Sequence, residues 1–258
     1  MGGGLNRVLA VASNTFRETV RERVLYNLVF FAIIMTLSGL LLGQLSIRQD
    51  EKIIKDVGLA AMDLFGTLIA IFVGVGLVSK EIDKRSLFPL LAKPVSRDEF
   101  LLGKFAGLAF TLLVNVAVMA AGLYLTLLAT HRRADPSLLK AVYGILLGLA
   151  LTVALALLFS VFTSAALASV CTVSVVVAGR FSDVVQNMRE VAPGAPQWLI
   201  QGLYYAVPNF RNFDLKDRVV YGDPVTRGDL VWITAYAAVY MAAVLGVAMA
   251  AFRSRELT

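Results

Sequence analysis

The chain has 258 residues, of which 58% are apolar and only 16% charged, and its formal net charge is +6. Soluble domains carry about 45–50% apolar and about 25% charged residues. The composition therefore excludes an ordinary water-soluble enzyme, and it equally excludes a disordered chain, which needs low hydrophobicity.

In chain order, the first residues form an amphipathic pattern over 1–23. Leu5, Val8, Leu9, Ala12, Phe16 and Val20 recur at helical spacing, while Asn6, Arg7, Ser13, Asn14, Arg17, Glu18, Arg21 and Glu22 fall on the other side. This predicts a helix lying in the membrane interface and feeding the first span. These residues are too polar for the apolar core of a cleaved signal peptide. A span needs about 20 mostly apolar residues, and six stretches qualify or nearly do: 24–45, 57–78, 101–129, 140–161, 164–178 and 230–252. The fourth and fifth form a tight hairpin. The expected fold is thus all-α, a single transmembrane domain over 1–258, with a charged loop at 79–100 and a long loop at 180–229. Within the long loop, residues 198–207 form an apolar, aromatic patch too short to span. That patch fits a re-entrant or interfacial helix, or else the core of a small extramembrane fold.

Lys and Arg divide evenly between the two sides of this topology. Those on the side of the termini, however, crowd the span ends, whereas many on the other side sit in the long loop, where charge weighs less. This places both termini in the cytoplasm and 180–229 outside. The basic residues read as membrane-flanking charge, with no nucleic-acid partner. Small residues at helical spacing mark close helix contacts: Gly144 and Gly148; Ser160, Ser164, Ala168 and Thr172; and Ala242, Gly246 and Ala250. They serve packing within the bundle or against a second copy.

Asp63 is the one acid well inside a span, and an intramembrane ionisable group is a functional candidate. It faces an outer vestibule, caps a contact, or relays a proton or cation. Asn115, mid-way along the third span, is expected to hydrogen-bond between helices, and Arg180 to anchor the fifth span at the interface. With one Cys, Cys171, and one His, His131, the chain offers no disulfide, no thiolate zinc site and no two-histidine metal centre. Seven scattered methionines give no relay for copper. No catalytic constellation appears, so the chain itself is expected not to be an enzyme.

Residues 79–104 read SKEIDKRSLFPLLAKPVSRDEFLLGK. Charges of both signs flank an apolar centre of Leu87, Phe88, Leu90 and Leu91, broken by Pro89 and Pro94. Apolar anchors with ionic flanks suit a docking surface for a partner protein, and a helix resting on lipid headgroups is the alternative. The segment resembles the coupling region of permease subunits of type-2 ABC transporters: Glu81, Lys84, Arg85, Leu90, Leu91, Lys93, Pro94, Val95, Ser96, Arg97, Gly103 and Lys104 fit that pattern. Phe16, Arg17 and Glu18 fit the family's N-terminal elbow helix. The tight hairpin and the long outer loop fit its architecture, and the nearest subgroup is the permeases annotated with copper-enzyme maturation.

The resemblance implies a six-span permease of an ATP-driven exporter in a bacterial inner membrane, one that works as a dimer, homomeric or heteromeric, surrounded by membrane lipid. A separate ABC ATPase subunit would dock on Glu81, Lys84, Arg85, Leu87, Phe88, Leu90, Leu91, Lys93, Pro94 and Arg97. The chain has no G-x-x-x-x-G-K-[ST] motif, so ATP and Mg would be bound by that partner and no cofactor by this chain. The alternative is a secondary transporter or channel using Asp63, though the halves show no internal repeat of the kind such folds often carry.

Overall fold

The structure, a computed structural model, describes residues 2–21, 30, 31, 34, 50–83, 96–129, 135–182 and 207–254. The regular structure among these residues is all helical, with no strand. The helices are α1 (Gly2–Arg21), α2 (Asp50–Asp83), α3 (Arg97–Ala129), α4 (Leu138–Phe162), α5 (Ala165–Arg180), α6 (Lys216–Tyr221) and α7 (Arg227–Ser254), with a 3₁₀ turn at Phe210–Phe213. Among the described residues, four helices are long and apolar enough to cross a bilayer, over Glu51–Gly76, Arg97–Ala129, Leu138–Phe162 and Arg227–Ser254. The expected fifth span is α5, only 16 residues long, and so short against the ~20 a full crossing takes. Of the expected first span, 24–45, only Phe30, Phe31 and Ile34 are described. Phe31 is buried, and the Phe30 ring meets Phe65 of α2 edge-on at 5.4 Å.

The helices outrun the apolar stretches that announce them. α2 begins at Asp50 rather than 57, because the polar turn before the apolar run still favours helix. Lys55 donates to Glu51 one turn back at 2.6 Å, a pairing that supports a helix end. At its other end α2 continues to Asp83, and α3 starts at Arg97, so helix occupies both edges of the segment expected as a loop at 79–100. The start of α3 is a capping box: the Glu99 N–H donates to Ser96 Oγ at 3.2 Å, and the Ser96 N–H donates to Glu99 Oε2 at 2.9 Å.

α4 sits at the centre, packed on α2, α3, α5 and α7. From Leu149 to Leu157 its side chains are buried on every side, apart from Ala150, as expected of a helix apolar all round. Close approach to α2 comes at Gly66 and Gly74, where an added Cβ would lie 2.5 Å from Leu149 and 3.0 Å from Ala156. Hydroxyls in these faces turn back onto their own helices: Thr111 to Gly107 O, Thr152 to Gly148 O, Ser160 to Ala156 O and Thr172 to Ala168 O. They satisfy themselves without tying helices together. α7 is the least enclosed of the long helices, with Val231, Trp232, Val239 and Val247 facing away from the bundle.

α1 has three faces. Val8, Val11, Ala12, Thr15 and Thr19 pack against α3, where Gly103 and Gly107 let the backbones meet: a Cβ on Gly107 would lie 2.6 Å from the Ala12 carbonyl oxygen. Leu5, Leu9 and Val20 stand exposed, beside a polar face of Asn6, Ser13, Asn14 and Arg17. The helix over Gly2–Arg21 packs most closely along the first turns of α3.

At the far end, the described part of the long loop folds onto the bundle. Gly144 and Gly148 of α4 accept Phe213 there, with a Cβ on Gly144 falling 2.5 Å from the Phe213 carbonyl oxygen. The Gly-x-x-x-Gly pair thus packs within the chain. Of the stripe, Ser160, Ala168 and Thr172 are likewise buried within the bundle and Ser164 is exposed, while nothing lies within 4 Å of a Cβ built on Gly246. The Asn209 N–H donates to Tyr236 Oη at 2.7 Å, Lys140 Nζ donates to Val225 O at 2.8 Å, and Gly222, at φ +85°, ends α6 in the left-handed conformation that favours glycine. Most of the aromatic patch at 198–207 lies outside the described residues.

Candidate functional site

Two ionic clusters mark opposite ends of the bundle. The first lies where α1, the start of α3 and the end of α7 meet. Arg97, the first residue of α3, donates from Nη1 to the carbonyl oxygens of Phe252 at 2.9 Å and Arg253 at 3.2 Å, and its guanidinium lies over the Phe252 ring, 5.8 Å from the centroid. The last carbonyls of a helix lack partners within it and carry partial negative charge. Arg97 supplies both a donor and a positive charge to the end of α7. The next residue, Asp98, accepts from Arg253, whose Nε lies 2.9 Å from Oδ1.

α1 joins the same cluster. Arg7 pairs with Glu99 at 3.6 Å, and Glu18 lies 3.7 Å from Nζ of Lys104. The Lys104 side chain is only 2% exposed, and its ammonium also sits 5.7 Å from the Phe100 ring centroid. The beginning of α3 is therefore bound on one side to α1 and on the other to α7.

Of the residues expected to form the docking segment, Arg97 belongs to this cluster and Glu81 lies in the last turn of α2. Lys84, Arg85, Leu87, Phe88, Leu90, Leu91, Lys93 and Pro94 lie outside the described residues. That segment leads directly into Ser96 and the capping box. Sequence reading missed Glu18, Asp98, Glu99 and Arg253 as members. The Ser-x-x-Glu spacing at 96–99 was a legible signal for the cap, whereas the other pairings join residues too far apart in sequence to be matched.

The second cluster is at the opposite end of the bundle from α1. Arg180, the last residue of α5, faces Asp63 of α2 with two parallel bonds, Nη1 to Oδ2 at 2.7 Å and Nη2 to Oδ1 at 2.9 Å. It also donates to Thr67 Oγ1 at 3.0 Å. Lys216 Nζ donates to the same Asp63 Oδ2 at 2.9 Å and lies 3.6 Å from Asp214. Arg180, expected as an interfacial anchor, is instead an ion-pair partner. Nothing in the run of α5 announces a carboxylate more than a hundred residues earlier. Together with Arg211, Ile145, Gly148, Phe210 and Phe213, these residues line a cavity of about 90 Å³. Asp63 thus sits in a polar pocket beneath the 3₁₀ turn.

Asn115 is a different case. It is 3% exposed, and neither amide atom has a partner among the described residues. Its expected interhelical bond is not made there, and it stands apart from both clusters. Among the described residues, no three His, Cys, Asp or Glu side chains gather as a metal site would require.

Apolar helices of spanning length, joined by a segment whose far end is clamped at the start of α3, are the setting in which the sequence can be compared with known families. The family model for ABC-2 family transporter proteins matches residues 9–257. The chain belongs to that family. It is accordingly a membrane component of an ABC transporter, a permease, and the family implies an ABC ATPase as partner in general. No curated protein matches the chain.

Proposed function

We propose that this permease is the transmembrane subunit of an ATP-driven exporter, which docks a separate ATPase through residues 79–100 and lines the substrate pathway as a dimer. Glu81, Lys84, Arg85, Arg97 and the apolar centre at Leu87, Phe88, Leu90 and Leu91 form or support the docking surface, and ATP and Mg are bound by the partner. The setting is a bacterial inner membrane with both termini in the cytoplasm, and the subgroup is the permeases annotated with copper-enzyme maturation.

One observation carries the reading. The docking segment runs into a helix end that is tied to two other helices, through Arg97 and Asp98 to α7 and through Glu99 and Lys104 to α1. A push on the segment would therefore move three helices together. The open face of α7 around Gly246 is available to a second copy. Asp63, engaged by Arg180 and Lys216, is not poised to exchange a proton or cation, which weighs against a secondary transporter.

The test is co-purification. The tagged chain in mild detergent should bring down a stoichiometric P-loop ATPase, and replacing Leu90 and Leu91 together by Asp should abolish recruitment while membrane insertion persists. Undiminished recruitment by that variant would remove the docking role from this segment.

A further inference from the structure

The ion pairs around the cavity form a chain rather than a set of separate contacts. Asp63 of α2 takes both parallel bonds of Arg180 and also the bond from Lys216 Nζ at 2.9 Å. Lys216 in turn lies 3.6 Å from Asp214, two residues before it. Each member of the Lys216–Asp63 pair therefore has a second partner in place. When Lys216 leaves, Asp63 keeps its bidentate pairing with Arg180, the stronger geometry, and Lys216 keeps Asp214. Separating a buried pair is ordinarily costly because it leaves a charge uncompensated. Here that penalty is avoided, which makes the Lys216–Asp63 bond the releasable one of the chain.

The two carboxylates differ in setting. The Asp63 side chain is 14% exposed and that of Asp214 42%. Passing Lys216 from the first to the second moves its ammonium from the cavity towards water. The backbone just before it has no slack to follow, because the carbonyls of Pro208 and Phe213 lie against Gly179 and Gly144, where even a Cβ would not fit. Movement is thus confined to α6, which begins at Lys216 and ends at Gly222. Beyond Lys216, α6 rests on the bundle through the buried Val219 and Val220 and through Tyr221, whose ring centroid is 5.4 Å from Nζ of Lys52 in α2. We propose that Lys216 is a two-position latch. Seated on Asp63, it ties the start of α6 to α2 and closes the cavity. Passed to Asp214, it frees α6 and opens the cavity to water. The latch concerns this end of the bundle and does not depend on the docking of an ATPase.

Two variants should act in opposite directions. The full chain is placed in nanodiscs, which leave both faces of the bilayer open to reagent. Ile145, which lines the cavity, is replaced by Cys in a Cys171→Ser background, and its reaction with a charged maleimide is timed. Lys216→Gln removes the latch while Arg180 still compensates Asp63, and labelling should quicken about 10- to 100-fold, the range for a lost charge-assisted bond. Asp214→Asn removes the exposed carboxylate that receives Lys216. It retains an oxygen for the Lys216 N–H, which donates to Asp214 Oδ1 at 3.3 Å. Labelling should then slow about 2- to 5-fold, as suits a half-exposed ion pair.

Opposite signs in the two variants identify a latch. A cluster that only stabilised the fold would loosen in both, so acceleration in both overturns the proposal, as does an unchanged rate in either. Amide hydrogen exchange over 216–221, in chains that keep Ile145 and Cys171, gives the same comparison without an introduced cysteine. It is judged by the same outcomes, and it stands even where Ile145→Cys does not fold. Asp214 is exposed, so its variant should fold.

Discussion

The pairing of Glu18 with Lys104 gives a sharp test of how α1 is held. Lys104 is almost wholly buried, while Glu18 is 38% exposed and 3.7 Å away. At an effective dielectric constant of ~20, that separation is worth at most about 4–5 kcal/mol of Coulomb energy. Solvent around Glu18 screens much of it. Glu18→Gln should therefore cost about 1–2 kcal/mol, because the buried Lys104 ammonium loses a carboxylate 3.7 Å away. Lys104→Met should be close to neutral, since a packed apolar side chain replaces a buried charge. The double variant should recover most of the loss. Local opening of α1 reports this directly: amide hydrogen exchange over residues 2–21 should accelerate about 5- to 30-fold in Glu18→Gln and return towards wild type when Lys104→Met is added. Unchanged exchange in Glu18→Gln, or a double variant as labile as the single one, would refute the ion pair as the fastening of α1.

Two further outcomes follow from the geometry. Gly144→Ala places a Cβ 2.5 Å from the Phe213 carbonyl oxygen, and the overpacking should cost about 1–3 kcal/mol. Hydrogen exchange across 207–221 should rise while the start of α3 stays protected. Ser96→Ala removes the cap of α3 and should cost about 1 kcal/mol, seen as faster exchange at Glu99 and Phe100 and as weaker coupling of ATP hydrolysis to transport once the partner ATPase is in hand.

The apolar runs were legible because bilayer thickness imposes a length on them, and the helices matching 101–129, 140–161 and 230–252 end within a few residues of those bounds. The ends of α2 were not, since Lys55 and Glu51 carry a helix beyond its apolar part. Small residues revealed close contact without naming the neighbour. Gly144 and Gly148 could have faced another copy, yet they receive Phe213 from the same chain. Asp63 stood out in sequence as an acid in an apolar run. Its partners did not, because Arg180 and Lys216 each look like ordinary flanking cations until the fold brings them to one carboxylate. Arg97 was visible as a charged residue of the docking segment, but its bond to the end of α7 depends on tertiary contact alone.

The bond between Asp63 and Arg180 spans 117 residues, and this has a consequence for how the protein is made. At roughly 5–20 residues per second, α2 leaves the ribosome several seconds before α5 is complete. During that interval its carboxylate has neither cation beside it, and an acid within a span disfavours insertion, by at most the roughly 2.5–3.5 kcal/mol that applies at the centre of the bilayer. The rest of α2, with mean hydropathy 2.0 over its spanning window, must outweigh that. The first helices are then held in the bilayer provisionally, and the arrival of α5 locks an arrangement that the earlier part of the chain could not hold alone.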